Sequence, residues 1–338
     1  MLMKSRILGC LGTVLALVFI LSVALNVFFL LFHGDEEDSR EVSKLSEQVV
    51  LRATGKGKGK AKIAQIDIEG LISNDSPAGD GAGGTMVEST KRALRQAVED
   101  ADVKAIVIRV DSPGGEVTAS DTIYHAVQQA QAKKPVIVYM DSIAASGGYY
   151  LSCAASKIVA NENTWTGSIG VIVQGVGFGP ALEKLGLEMR VFRSGDFKDT
   201  FYGQREMTDD EKFYVQGMVM QTYDRFVKIV SDARKIPVEK LKAEMADGRV
   251  FSGADAAKLG LIDKTGYIET AYDLAKSAAG LKDAEIVRYH NPFNVMNLLG
   301  LNIKSAATPA KVQVDLTGGL LPRLQPGRCY LLPASYVQ

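Results

Sequence analysis

The chain has 338 residues, enough for one large domain or two modest ones, each with a real core. Hydrophobic residues make up 46% and charged residues 23%, an ordinary globular balance that excludes wholesale disorder. Lys+Arg and Asp+Glu both number 39, so a net charge of zero gives no electrostatic reason to expect nucleic acid, and three scattered cysteines (Cys10, Cys153, Cys329) exclude a disulfide framework or a zinc site.

From Ile7 to Phe32 no residue is charged, and Leu, Val and Phe dominate. A helix needs about 20 apolar residues to cross the hydrocarbon core, so this run predicts one transmembrane anchor. Lys4 and Arg6 precede it, and Asp35, Glu36, Glu37 and Asp38 follow. Positive charge stays inside, which predicts a cytoplasmic stub and anchor over residues 1–34 of a cell-membrane protein, with everything after Gly34 extracytoplasmic. A cleaved signal peptide ending at Ser22-Val23-Ala24 is the rival reading; it would leave apolar Leu25 to Phe32 as the mature start, which favours the anchor. Ile7-Leu8-Gly9-Cys10 resembles a lipoprotein box, but its apolar run follows the cysteine instead of preceding it.

Residues 35–61 read as a polar linker ending in Gly55-Lys56-Gly57-Lys58-Gly59-Lys60, without the Gly-Lys-Ser/Thr ending or the preceding strand of a phosphate loop. Globular pattern covers 62–290 and leaves 291–338 as a C-terminal tail. Ile63, Ile66 and Ile68 mark a strand ending at Gly70, Ser73 to Thr85 a Gly/Asp/Ser loop, and Val87, Leu94 and Val98 a helix. Val103 to Val110 is a β-branched strand stopped by Asp111-Ser112-Pro113-Gly114-Gly115. Ile123, Val127 and Ala130 predict a helix, Pro135 to Met140 a strand, and Gly148 to Ala155 a short helix after Ser146. Ile158 to Ala160, Gly170 to Val173 and Met189 to Phe192 are further strand candidates. Phe213, Met220, Tyr223, Val227 and Val230 then form a long helical stripe that core packing explains. Repeated strand–turn–helix units of this length predict an α/β domain with largely parallel strands.

The chemistry gathers in few places. A nucleophilic serine on a strand-to-helix turn needs small neighbours, and Ala144-Ala145-Ser146-Gly147-Gly148 supplies them. On this segment alone a serine N-cap is the simpler explanation. Asp111-Ser112-Pro113-Gly114-Gly115 could aim a backbone N–H at a developing oxyanion, a donor whose loss costs about 3 kcal/mol, or be a plain turn. Among the histidines, His33 lies at the membrane boundary and His125 within a helical pattern. His290 is the one plausible triad member, with no acidic orienter beside it. A lysine can replace histidine only when neutral, which requires its pKa to fall some 3 units from about 10.4. Lys198 has Phe197 and Phe201 nearby, which predicts partial burial.

Asp111 to Val117, Ala144 to Tyr150, Thr166-Gly167-Ser168-Ile169-Gly170, Ser194 to Asp199, and Gly248 to Gly253 with Gly260-Leu261-Ile262-Asp263 resemble, in order and combination, the short single-domain form of the signal peptide peptidase SppA family. The resemblance spans about Ile63 to Tyr289. It implies a ClpP/crotonase-like α/β fold and a membrane-anchored serine endopeptidase that cuts hydrophobic peptides and signal-peptide remnants, without cofactor or metal. Carried over residue by residue, it implies Ser146 as nucleophile, Lys198 as general base, Ser168 as a partner of the lysine amine, and the Gly115 N–H in the oxyanion hole. The turn itself suggests the Gly147 N–H as a second donor. Members of the family resemble one another in forming homo-oligomeric rings whose Ser/Lys dyads are shared between neighbouring subunits. Two other readings stand beside this one: an α/β-hydrolase-type esterase using Ser146 and His290, and an inactive peptide-binding scaffold of the same fold.

Overall fold

The computed structural model describes residues 44–53, 61–75 and 85–290, together with residues 19, 22–23 and 330–331. The chain divides into two compact units, Met1–Lys44 and Leu45–Gln338. In the first, Phe19, Ser22 and Val23 are helical. No helix among the described residues is long and apolar enough to cross a membrane. The anchor expected over Ile7 to Phe32 otherwise lies outside the described residues, as do the Gly/Lys linker, loop positions 76–84 and, apart from two residues, the tail.

In the second unit, β1 (Ser46–Leu51) already falls inside the stretch expected to be linker. It is followed by β2 (Lys62–Glu69), α1 (Met86–Glu99) and β3 (Val103–Ser112). Thr85 and Glu88 close a capping box at the start of α1, which is where the Gly/Asp/Ser loop was expected to stop. Next come β4 (Gly115–Glu116), α2 (Val117–Gln131), β5 (Val136–Ala145) and α3 (Gly147–Ser152). Then follow β6 (Lys157–Ala160), β7 (Trp165–Gly167), the short α4 (Gly179–Lys184) and a 3-10 turn at Asp196–Asp199. The long α5 (Asp209–Arg234), α6 (Val238–Glu244), β8 (Val250–Ser252) and α7 (Gly253–Lys258) lead to β9 (Lys264–Thr265), α8 (Ile268–Ala278) and β10 (Glu285–His290). Tyr330–Leu331 is β11.

The main sheet runs β1-β10-β2-β3-β5-β6-β9 and is parallel except for β1 at its edge. Strands covered on both faces must be apolar without interruption, and Ile106, Val107 and Ile108 of β3 are all fully buried. Alternate residues serve opposite cores. Ala64, Ile66, Ile106, Ile108, Val138 and Met140 pack with α1, α2 and α3; Ile63, Ala105, Val107, Ile137 and Tyr139 pack with Ala271, Tyr272 and Ala275 of α8. The sheet forks at β5. Its first half, Ile137 to Met140, continues to β6, whereas Ile143 to Ala145 pairs instead with β7, which carries β8 antiparallel on its far side. The tip of that fork is Ser146.

Two expected strands do not form. Gly170 to Val173 holds only a single bridged residue, and Met189 to Phe192 has no regular structure. Their apolar residues find no sheet edge: Met189 and Val191 are exposed and Phe192 is 97% exposed. The helical stripe is likewise only half core. Phe226, Val227 and Val230 are buried, while Phe213 is 83% exposed and Met220 is exposed as well.

Candidate active site

The carboxyl ends of parallel strands β3 and β5 lie side by side, with Ser112 in register with Ala144. Ligand crevices form at such ends, because the turns that leave neighbouring strands converge there. Ser146 stands at φ 52° and ψ −109°, a conformation that the chain adopts to turn sharply from β5 into α3. Ser146 N–H donates to Gly167 O (2.8 Å), Ser146 O accepts from Tyr150 N–H (2.7 Å), and Thr166 Oγ1 donates to Ala144 O (2.7 Å). The elbow is therefore held from both sides. Ser146 begins α3, yet its side chain makes no capping bond, and its buried Oγ has no hydrogen-bond partner. The capping explanation of this serine fails.

Three described non-glycine residues have positive φ: Ser146, Ser168 (50°) and Lys235 (58°). Two of them are residues singled out for the site, and backbone strain of this kind persists where the surroundings enforce it. Ser168 is buried next to the elbow, since it follows Gly167, which pairs with Ala145 and accepts from Ser146; its own N–H donates to Arg249 O (2.8 Å).

Gly115 sits opposite. Ile72 N–H donates to Gly114 O (2.8 Å) and Glu116 N–H donates to Ile72 O (2.8 Å), so the intervening Gly115 N–H faces the other edge of β4. That edge is where β11 pairs antiparallel, Leu331 against Gly115 and Tyr330 against Glu116. A Cβ on Gly115 would collide with the Ile72 carbonyl, and a Cβ on Gly147 would lie 2.5 Å from Ser120 Oγ and 3.1 Å from Gly115 N. Only glycine fits at Gly115, and a side chain at Gly147 would have to displace Ser120 Oγ and crowd the Gly115 backbone, so the two proposed oxyanion donors come from closely packed backbones. Ser120, a buried hydroxyl without a partner, went unnoticed in the sequence, as did Glu116, whose carboxylate accepts from Ser73 Oγ (3.0 Å) and Asn74 Nδ2 (3.2 Å) and ties down the loop beside Gly115. Neither has a local signal, because each acquires its neighbour only through the fold.

Helix α3 is fixed from behind. Tyr149 Oη donates to Leu261 O (2.8 Å), and Tyr150 Oη donates to Asp121 Oδ1 (2.6 Å), which also receives Arg225 Nη2 (2.8 Å). Burial, with Asp121 as acceptor, pushes the Tyr150 phenol up, so it remains a donor.

Lys198 is not brought to Ser146 by any hydrogen bond. It lies on the 3-10 turn, exposed, and its side chain makes no hydrogen bond or ion pair among the described residues. The expected partial burial is absent: Phe197 is exposed and rests on Tyr214, ring centroids 5.2 Å apart, and only Phe201 is half-buried. Residues 183–198 are exposed throughout, so nothing among the described residues covers the amine. What is buried next to it is charge. Asp199 is 5% exposed and Glu211 2%, and both are gripped by Arg205. Hydrogen bonds from Arg205, then from Arg193, hold the Asp199 carboxyl down to about 2; those from Arg205 and the Thr208 N–H hold Glu211 well below the usual carboxylate range. The Thr208–Glu211 spacing of a capping box is legible in the sequence, but Arg205 is not.

His290 ends β10, which is separated from β5 by β2 and β3. Three strand spacings amount to about 14 Å, too far for a hydrogen bond to Ser146. His125 lies on the exposed side of α2 beside Gln129 (3.0 Å). The topology therefore excludes a Ser146–His290 pair within the chain.

Comparison with known proteins gives the family. Residues 128–282 match the pattern of peptidase family S49, and residues 85–165 that of Clp protease. A protein of Enterococcus faecium named putative signal peptide peptidase SppA is 35% identical over 257 residues, 73% of this chain and 72% of its own. A putative protease of Synechocystis is 39% identical over 66% of this chain and 76% of its own. The chloroplastic serine protease SPPA of Arabidopsis thaliana is 34% identical over 79% of this chain and 39% of that one. Among solved structures, a ClpP1 mutant from Listeria monocytogenes aligns at 18% identity with a TM-score of 0.41, covering 60% of this chain and 90% of that one. With a relative this similar over most of both chains, the chain belongs to peptidase family S49 and is a serine peptidase.

Proposed function

We propose that this peptidase is anchored in the membrane and cuts hydrophobic peptides, signal-peptide remnants among them, with Ser146 as nucleophile and Lys198 as general base. The observation that carries the reading is Ser146 itself: a buried, strained serine at a strand-to-helix elbow, with an unpartnered Oγ and glycine backbones on both sides. Neutral Lys198 takes the Ser146 proton as Oγ attacks the peptide carbonyl, while the Gly115 and Gly147 N–H groups receive the oxyanion. The lysine then protonates the leaving amine, and water hydrolyses the acyl-enzyme. Ser168 holds the lysine amine in line. Substrate docks as an extended strand antiparallel to β4, a mode supported by the way Tyr330–Leu331 pairs along that edge.

The dyad is completed between copies of the chain in a closed ring. Support comes from Ser146 and Lys198, which are both without a side-chain partner, and from the exposed Leu187, Phe192, Phe213 and Tyr214, apolar surface that a neighbouring copy would cover. The match of residues 85–165 to the Clp protease pattern supports a ClpP/crotonase-like arrangement. The substrate class rests on the name of the Enterococcus relative and on Ile7 to Phe32, which would keep the site near the bilayer.

Labelling with a fluorophosphonate probe tests the nucleophile. Wild type should label and Ser146→Ala should not; equal labelling would overturn the assignment. Preferential cleavage of soluble, highly charged peptides over apolar ones would overturn the substrate class.

A further inference from the structure

We propose that Arg205 is a positioning residue for Lys198, clamping the turn that carries the lysine onto the first turn of α5. The proposal rests on the assignment of Lys198 as general base. Hydrophobic burial holds this turn only weakly, because residues 183–198 are all exposed and Phe197, though it touches Tyr214 of α5, stays half in solvent. The first buried positions after the lysine are polar, Asp199 and Thr200. Arg205 meets Asp199 through Nε to Oδ2 (3.1 Å) and Nη2 to Oδ1 (2.7 Å). The same guanidinium meets Glu211 through Nη1 to Oε2 (2.8 Å) and Nη2 to Oε1 (2.7 Å). Glu211 also accepts from Thr200 Oγ1 (2.8 Å) and Thr208 N–H (2.8 Å), which anchors it to α5.

One planar fork thus joins a carboxylate adjacent to Lys198 with a carboxylate built into a helix start. Arg193 adds a second cation on Asp199 (2.7 Å) and also faces the exposed Asp196 (3.6 Å), so two guanidiniums serve the two buried carboxylates and one exposed one. Remove Arg205 and Glu211 loses its cation while Arg193 holds only the Asp199 side; the two buried carboxylates then repel and push the turn off α5. Lysine cannot replace the fork, since it offers one compact point of charge to two bidentate acceptors. A general base must come within about 2.6–3.2 Å of its proton, and a displacement of about 1 Å costs on the order of 100-fold. The backbone of Lys198 is one residue from the clamp, so freedom at Asp199 is freedom at the amine.

The test is a double-mutant cycle on the rate of fluorophosphonate labelling of Ser146, in the full chain, with sedimentation and thermal unfolding as controls for assembly and fold. Arg205→Lys should slow labelling by about 100-fold in wild type and have no further effect in Lys198→Ala. Peptide turnover should lose kcat while KM stays within about twofold, because the clamp touches no substrate. Labelling of Arg205→Lys at the wild-type rate, or an equal slowing in both backgrounds, overturns the clamp. Wild-type labelling of Lys198→Ala overturns the base assignment instead, so the two failures are distinct. Should Arg205→Lys not fold or assemble, the same cycle with Glu211→Gln, which keeps size and capping but removes charge, gives the same decision with a smaller expected loss.

Discussion

A buried hydroxyl that bonds to nothing is destabilising by about 1–3 kcal/mol, and positive φ at a non-glycine residue adds a similar strain. Ser146 carries both, so its side chain detracts from stability. Ser146→Ala should therefore lose all peptidase activity while its Tm equals or exceeds that of wild type; a clear fall in Tm would show that the hydroxyl has a structural bond after all. Asp199 and Glu211 behave in the opposite way. Their carboxyls are held below the ordinary range by Arg205, so each contributes stability that is complete above its unfolded value near 4 and lost as pH falls through its folded value. For Asp199 that loss extends down to about pH 2. Thermal unfolding followed from pH 6 to 2 should show a steeper acid decline in wild type than in Asp199→Asn, and parallel curves would refute the coupling.

Helix α5 is one element with two environments. Its C-terminal half buries Phe226, Val227 and Val230 against the main core, where Phe226 stacks near Tyr150 of α3, ring centroids 5.0 Å apart. Its N-terminal half leaves Phe213 and Met220 uncovered while starting from the Glu211 clamp. Truncating a fully buried phenylalanine costs about 3–5 kcal/mol, and truncating an exposed one costs almost nothing within a chain. Phe226→Ala should thus lower the denaturation midpoint severely. Phe213→Ser should leave chain stability unchanged and weaken self-association, read by sedimentation across a concentration series. A stability loss of similar size in both would mean that the first half of α5 is covered within the chain.

At the scale of the whole molecule, Ser146 is supplied by the tip of the forked sheet and Lys198 by an exposed segment outside the core. Co-expression of Ser146→Ala with Lys198→Ala separates the two possible sources of the base. Each variant alone should be inactive. If neighbouring copies share their dyads and mix at random, about a quarter of the sites pair an intact serine with an intact lysine, and activity returns to that fraction. Background activity in assemblies proven to contain both variants would place the dyad within one chain.

What depends on local pattern and immediate neighbours was legible in the order of the residues. β-branched runs such as Val103 to Val110 became strands, because a strand covered on both faces must be apolar along its length. The glycines around Ser146 and at Gly115 were legible because only a missing Cβ permits such close backbones. The rest depends on contacts between segments far apart along the chain. Ser46–Leu51 is polar enough to read as linker, yet it pairs with β10, since an edge strand needs backbone partners and not apolar side chains. Met189 to Phe192 has the side chains of a strand and no edge to pair with. Phe197 and Phe201 suggested a buried Lys198, but burial is set by what lies on the other side of a segment, and among the described residues nothing does. Arg205 reaches two carboxylates at once only because the turn and α5 fold together, a coincidence in space that no spacing along the chain encodes.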